Sequence, residues 1–364
     1  MSKKPFIALL IMGLSFISAG HLSASQNQII AAKGIAETPI KAELIWSVGS
    51  DKENENFYKP GSFAVDKDGR VFVLDTKNSR VQVFSAEGKF LFSFARFGQG
   101  PGELTRDAMV IKIPEDQNIC IIDVARVNVY DINGRFLKQF KLDDDYWDIE
   151  LIAGKYYLPL CEMDKEKKTV HIFGLSGDKI GSIGDFIEPE EGIYNKINKV
   201  KDKFYVIDFF NTFPRIVKIN DGEFLYSLFL PYRIIKYDLL GRVLKDFNGD
   251  MDYGINQIFS ISYYKDKIPF VMPNMPLPYI YSPYMKGDGT ILVPFLKKEK
   301  DYLYIDHFDD QLKLIRRYKI QERLAEEGNL LKNVFIDKKN NLYCLITPDT
   351  SDDFPRVVKY RLVM

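Results

Sequence analysis

The sequence predicts an all-β protein, a six-bladed β-propeller with four-stranded antiparallel blades, from two observations. Short runs of β-branched and aromatic residues, separated by Asp-Gly, Asn-Gly and Gly-Lys turns, dominate the chain after residue 40. The runs group into four-stranded units whose turn glycines Gly88, Gly134 and Gly177 are spaced 46 and 43 residues apart. Units of about 40–50 residues are typical of propeller blades. A single four-stranded blade has open edges, and radial repetition around a ring protects them.

The first blade is the clearest of these units. Its predicted strands cover residues 63–66, 70–75, 80–84 and 89–94. The second blade repeats the pattern at residues 109–112, 118–123, 126–130 and 134–140. The third ends in strands at 170–173 and 179–183, and a later blade uses 290–293, 302–305 and 312–315, followed by a short helix at 321–327. The first strands of such blades line the axis, so we expect a ligand at the axial mouth.

The middle of the chain allows two interpretations. One takes residues 204–208, 215–219 and 223–226 as strands two to four of a blade, which gives seven blades. The other starts a blade at Arg215 and continues with strands at 223–229, 232–237 and 242–247. The second interpretation gives six blades, with inserts near 185–212 and 249–283, and we favour it.

The last blade contains only three predicted strands, at residues 333–337, 341–346 and 356–363. The segment from Glu43 to Val48 is the only spare strand. Pairing this N-terminal strand with the last blade would close the ring and remove its final open edge. The sequence therefore predicts ring closure by the N-terminal strand.

Residues 1–24 have the pattern of a secretory signal peptide. Lys3 and Lys4 precede an apolar stretch of about 12 residues, shorter than the roughly 20 that span a bilayer, and Ala24 offers a cleavage site. The alternative is an uncleaved membrane anchor. We expect export to the periplasm or the extracellular space, a linker at 25–40, one propeller domain at 41–364, and no membrane span after cleavage.

The composition limits the classes of function. The chain has 364 residues, of which 46% are hydrophobic, and 50 basic residues balance 50 acidic ones. Loss of residues 1–24 removes two lysines and no acid, so the remaining chain carries a formal charge of −2. A nucleic-acid partner is therefore not expected, because it would require a basic excess.

The first blade resembles an NHL repeat, a family of repeats that build six-bladed propellers. The similarity lies in Tyr58-Lys59-Pro60, Asp66-Lys67-Asp68-Gly69, Val73-Leu74-Asp75, Asn78 to Phe84 and Gly98 to Leu104. It is strong in blades one and two and loose after residue 185. The resemblance implies the fold but no activity, because the family mixes binding modules with a few enzymes.

Candidate catalytic residues are scarce. The zinc chemistry of one NHL-like branch depends on several histidines, whereas only His171 and His307 follow residue 24, and we expect both at strand edges or on the surface. The pairs Asp75 with Arg80 and Asp123 with Arg126 recur in successive blades, which favours a structural role. Three cysteines lie in apolar runs and are expected in the core, with a disulfide as the alternative.

Two segments are candidate ligand-binding regions. Tyr146 and Trp147 follow an acidic run and offer aromatic faces suited to a sugar or a peptide. The proline-rich segment 268–284, with Met272, Met275 and Tyr279, suits a lid over the axial mouth or a surface for a partner. The alternative for this segment is a long packed connection.

A calcium site is the alternative chemistry. Asp143, Asp145 and Asp148 belong to the densest acidic patch, and carboxylate oxygens are calcium ligands. The other interpretation is a solvated acidic loop. We predict an exported ligand-binding or protein-binding scaffold without a cofactor, whose partner is an exported protein or a small ligand. The alternative is a calcium-dependent hydrolase or lactonase of propeller type.

Overall fold

The computed structural model describes thirteen segments of the chain. They are residues 35–49, 56–114, 118–160, 165–185, 205–206, 214–228, 232–249, 259–264, 268–273, 279–297, 302–325, 329–348 and 354–364. Side chains are not described at 205–206, 259–264, 268–273 and 279. No helix in these segments is long and apolar enough to cross a membrane.

Six four-stranded units follow one another around a ring, as predicted. The chain begins with β1 (Glu37–Val48). Blade one contains β2 (Ser62–Val65), β3 (Val71–Asp75), β4 (Arg80–Phe84) and β5 (Phe90–Phe94). Blade two contains β6 (Ala108–Lys112), β7 (Asn118–Asp123), β8 (Arg126–Asp131) and β9 (Phe136–Lys141). Blade three contains β10 (Glu150–Ile152), β11 (Lys155–Pro159), β12 (Lys168–Phe173) and β13 (Lys179–Asp185).

The interpretation with six blades is confirmed in the middle of the chain. After the short β14 (Tyr205–Val206), blade four contains β15 (Arg215–Asn220), β16 (Glu223–Leu228), β17 (Arg233–Asp238) and β18 (Val243–Asn248). The strands β19 (Phe259–Tyr264) and β20 (Ile268–Pro273) pair with each other, and β14 pairs in parallel with β20. The two inserts therefore meet in one small sheet, while residues 279–283 at the end of the second insert lead into blade five.

The last two blades complete the ring. Blade five contains β21 (Tyr279–Ile280) and β22 (Tyr284–Met285), which both pair with β23 (Ile291–Leu296), then β24 (Leu303–Phe308) and β25 (Leu314–Ile320). Blade six contains β26 (Asn329–Ile336), β27 (Asn341–Pro348) and β28 (Arg356–Val363). The described part of the expected helix, residues 321–325, forms bends instead, because the backbone N–H of Gln321 donates to the carbonyl of Ile40 and ties this segment to β1.

Ring closure by the N-terminal strand is confirmed, and it extends further than predicted. Residues 41–48 of β1 pair antiparallel with β28, whereas residues 37–40 pair in parallel with β25 of blade five. The linker therefore ends before residue 37 rather than at residue 40. Trp46 also donates from Nε1 to the carbonyl of Ala86 in blade one, at 2.9 Å. One strand thus joins blades five and six, and its tryptophan contacts blade one.

The hydrophobic core is divided into six clusters, one between each pair of neighbouring blades. Aromatic pairs connect the sheets, such as Phe94 with Tyr130 across blades one and two and Phe247 with Phe308 across blades four and five, at centroid distances of 5.1 and 4.7 Å. Strand β3 is buried along its whole length, while β5 alternates between exposed and half-buried residues. Each blade is therefore packed on both faces near the axis and solvated at the rim.

Five of the described hairpin turns follow one local rule. In the turn between β2 and β3, Asp66 Oδ1 accepts from the backbone N–H of Asp68 at 3.0 Å and of Arg70 at 2.8 Å, and Gly69 supplies a φ of +84°. An aspartate fills the same place in four other hairpins, at Asp131, Asp238, Asp309 and Asp337. The aspartate therefore satisfies the backbone of each turn within the turn itself.

Candidate functional site

An axial cavity of about 900 Å³ lies at the centre of the ring. Its wall draws on β2, β6, β10, β15, β22 and β26, so every blade contributes its inner strand or the segment beside it. Among the described residues that line it, seven are basic and four are acidic. A cavity formed by six rigid strands, with polar groups in an otherwise apolar wall, has the usual character of a ligand site.

Blades two, three and four contribute an ion-paired wall. Lys112 Nζ lies 3.0 Å from Asp148 Oδ2 and 3.2 Å from Glu150 Oε2, and it donates to the carbonyl of Ile216 at 2.6 Å. Asp148 Oδ2 also accepts from the backbone N–H of Ile216. Burial disfavours the charged form of Lys112, but the two carboxylates outweigh that cost and raise its pKa. These groups form a closed network that joins three blades.

Blades six and one contribute a different wall. Lys332 is partly buried and donates to the carbonyl of Pro60 at 2.8 Å. The neighbouring Asn333 donates from Nδ2 to Ser62 Oγ at 3.4 Å. Within the described segments, no carboxylate lies within 4.0 Å of the Lys332 ammonium. Burial therefore lowers the pKa of Lys332, because no acidic group opposes the desolvation.

Arg215 stands at the start of β15, in the cavity wall. Its Nη1 donates to the carbonyls of Trp147 and Pro214, both at 3.4 Å. Among the described residues it has no carboxylate partner. Arg80, Arg126 and Arg317, by contrast, each pair with a buried aspartate elsewhere in the blades.

The two predicted aromatic residues separate. Trp147 is half-buried and lines the cavity, whereas Tyr146 is only 1% exposed and lies in the core beside Phe173. Tyr146 is therefore not an exposed binding face, because the connection into blade three folds it against β12. Met272 and Tyr279 lie in β20 and β21, where only the backbone is described, and Met275 lies outside the described residues.

The predicted acidic set also separates. Asp148 belongs to the cavity wall, Asp145 is exposed, and Asp143 lies beside His171. Within the described segments, one group of three or more residues has its potential ligand atoms within 4.8 Å of one another: Asp143, Asp144 and His171. Asp143, Asp145 and Asp148 are therefore not brought together, since Asp148 lies beside β10, the inner strand of blade three.

His171 differs from the expectation for it. It is fully buried, because residues 143–147 cover β12, and it is not at a surface. Its Nδ1 lies 2.6 Å from the hydroxyl of Tyr146, which in turn lies 2.7 Å from Asp143 Oδ1. Lys179 Nζ lies 3.1 Å from His171 Nε2 and 3.6 Å from Asp143 Oδ2. An ammonium group thus already pairs with Asp143 in this cluster.

The remaining candidates have structural surroundings. His307 is half-buried and stacks on Tyr318. Asp75 accepts from the backbone of Tyr58 and from Arg80, and Asp123 does the same with Thr105 and Arg126, so both aspartates fasten loops as predicted. Cys120 and Cys344 are free and buried, and burial raises the pKa of Cys120 to about 12; Cys161 lies outside the described residues.

The charged residues of the cavity wall that were not predicted as site residues include Lys112, Glu150, Arg215 and Lys332. All four stand in inner strands of the blades. Their positions could have indicated this role, because the first strand of each blade borders the axis and a charged residue there is expected to face the cavity.

The ring of six sheets around an axial cavity defines the class of the protein, a six-bladed β-propeller. The chain belongs to the DUF5128 family of six-bladed β-propellers, which matches residues 62–332. This match confirms the predicted number of blades.

Solved structures are similar in fold. A protein of Bacteroides fragilis that is named as exported is 14% identical, with a TM-score of 0.56 over 92% of this chain and 98% of that one. A member of the DUF4221 family from Bacteroides vulgatus is 11% identical, with a TM-score of 0.56 over 90% of this chain and 97% of that one. At such identities the likeness concerns the fold alone.

One curated relative, the protein brain tumor of Drosophila melanogaster, is an NHL-containing protein and is 28% identical over 87 residues. The match covers 23% of this chain and 8% of the fly protein. It agrees with the resemblance to NHL repeats seen in the first blades.

Proposed function

We propose that this protein is an exported binding module that holds a small ligand in the axial cavity. The observation that carries the proposal is the cavity of about 900 Å³ to which all six blades contribute. Inner strands of a closed ring hold their side chains rigidly, so a site built on them is preorganised for its ligand. Export is supported by the pattern of residues 1–24 and by the similar fold of a Bacteroides fragilis protein named as exported.

Binding in the cavity is tested by the fluorescence of Trp147. The chain has two tryptophans, so Trp46→Phe leaves Trp147 in the cavity wall as the single reporter. We expect a panel of neutral sugars, short peptides and organic acids to include compounds that change its emission. If no compound of any class does so, and calorimetry detects no binding, the proposal is wrong.

A narrowed cavity supplies the matched control. Gly287 lines the cavity, and a Cβ added there would meet nothing within 4 Å. We expect Gly287→Phe to weaken ligand binding about tenfold or more by occupying the space. Gly181, on the outer strand β13, is equally open, and Gly181→Phe should leave binding unchanged. Equal effects of the two substitutions would place the ligand elsewhere.

The second candidate is a calcium-dependent hydrolase of propeller type. Asp148 and Glu150 supply carboxylates to the cavity wall, which favours this candidate. Lys112 already lies against both carboxylates and would compete with calcium for them, so we rank binding without calcium first. A calcium titration by calorimetry decides the matter: heat together with a higher melting temperature supports the enzyme, and the absence of both excludes a calcium site. Lys112→Met should strengthen calcium binding if these carboxylates are the ligands.

A further inference from the structure

The two walls of the axial cavity differ in charge compensation, and this difference indicates the class of the ligand. We propose that the cavity binds a small molecule bearing an oxyanion, a carboxylate or a phosphate, with Lys332 as its anchor and Arg215 as a second cationic contact. This inference rests on the proposed function, because it requires that the cavity be occupied by a ligand.

The backbone at Lys332 forms a β-bulge, an irregularity that changes the direction of a side chain. In β26, Leu331 pairs with Ile346 and Asn333 pairs with Leu345, so Lys332 is the extra residue of a β-bulge. Bulges bend a strand and are enriched beside functional sites. The bulge places a lysine in the innermost strand of blade six, where the ring borders the cavity.

The ammonium of Lys332 retains capacity for a ligand. It has three N–H donors, and its contact among the described residues is the carbonyl of Pro60. A partly buried cation without a counter-ion carries a cost that a bound anion would reduce. Asn333 and Ser62, which adjoin Lys332 in the same wall, add an amide and a hydroxyl that also suit the oxygens of an oxyanion.

Arg215 supplies the second cation from blade four. Its guanidinium has five donors, and the contacts of Nη1 with two carbonyls are long, at 3.4 Å. The planar fork of an arginine matches a carboxylate or a phosphate with two parallel hydrogen bonds. Lys112 does not take this role, because Asp148 and Glu150 hold its ammonium.

The test compares oxyanions with neutral compounds in the full chain. Citrate and inorganic phosphate are titrated by calorimetry and by Trp147 fluorescence in the Trp46→Phe background, with glucose as the neutral probe. We expect citrate, phosphate or both to bind, and Lys332→Met to weaken that binding about tenfold or more, as expected for a charge-assisted contact. Binding of citrate alone identifies a carboxylate ligand, and binding of phosphate alone identifies a phosphate ligand.

Two further variants make the result decisive. Lys339→Met removes an exposed lysine from the turn that follows β26 and should leave the affinity unchanged. Arg215→Gln provides an independent loss of affinity should Lys332→Met fail to fold, which circular dichroism and the melting temperature would reveal. Oxyanion affinity that is retained in both Lys332→Met and Arg215→Gln overturns the inference. If glucose or another neutral compound binds and no oxyanion does, the inference is wrong while the proposed function stands; if nothing binds, both are wrong.

Discussion

The two walls of the axial cavity use the same type of residue in opposite ways. Lys112, in blade two, is held by two carboxylates and ties three blades together. Lys332, in blade six, faces the same cavity and contacts a carbonyl. Lys112 therefore has a structural role, because its charge is paired within the protein. Lys332 has no carboxylate partner among the described residues, so its ammonium is available to a ligand.

The largest expected effect comes from breaking the ion-paired wall. Lys112→Met leaves Asp148 and Glu150 together without a cation, and it should lower the free energy of unfolding by about 3–5 kcal/mol, as for other broken buried ion pairs. Lys332→Met is the matched control and should change it by less than about 1 kcal/mol, because no carboxylate is left behind. Urea unfolding of both variants measures the difference. Equal losses would show that the walls are not distinct.

The next effect concerns alkaline pH. As the pH rises, the contribution of Lys112 to the free energy of unfolding should fall, whereas that of Lys332 should increase. Two carboxylates raise the pKa of Lys112 above its usual 10.5, so its stabilisation is fully present below 10.5 and is lost as the pH rises through the raised value. Burial lowers the pKa of Lys332, so the folded state releases a proton before the unfolded state does. The protein should therefore gain stability relative to Lys332→Met as the pH rises through the lowered pKa towards 10.5.

Urea unfolding of the protein and of both methionine variants between pH 8 and about 11 tests this contrast. The buried tyrosines, whose ionisation is common to all three proteins, cancel in the differences. A parallel pH dependence of Lys112→Met and Lys332→Met would contradict the assignment of the two walls.

The smallest expected effect lies in the uncompensated wall itself. Asn333→Ala removes a hydrogen bond of 3.4 Å to Ser62 Oγ and one of 2.8 Å to the backbone N–H of Val334. We expect a loss of about 1 kcal/mol in the free energy of unfolding, as for typical neutral hydrogen bonds. Ser62→Ala, which removes the longer bond alone, should cost less. A loss as large as that of Lys112→Met would mean that this wall too is held by its polar contacts.

Most of the fold could be predicted because its signals are local. The aspartate turns of Asp66 and Asp131 satisfy their own backbone within five residues, so a short stretch of sequence specifies each hairpin. The repeat then predicts the blade and favours six blades over seven. Even the long-range closure could be predicted, since the one unpaired N-terminal strand could supply the strand that the last blade lacks. The parallel pairing of residues 37–40 with blade five could not, because nothing near these residues specifies a parallel partner.

The site was less accessible to sequence reasoning. Asp143, Asp145 and Asp148 stand within six residues, and their sequence proximity favoured one acidic site. The structure assigns Asp148 to the cavity and leaves Asp145 exposed, since the start of blade three turns the chain towards the axis between them. Likewise, Tyr146 and Trp147 are adjacent, yet one is buried in the core and the other lines the cavity.

The sequence by itself determined the all-β class, the turns and the strand that closes the ring, and it favoured six blades over seven, because each of these depends on short-range patterns or on a repeat. Tertiary structure alone decided which charges face the axis and which of them are compensated. Lys112 and Lys332 are separated by 220 residues, and the partners of each come from other blades or from the segment that leads into another blade. Compensation of charge is a property of neighbours in space, and the ring brings those neighbours together.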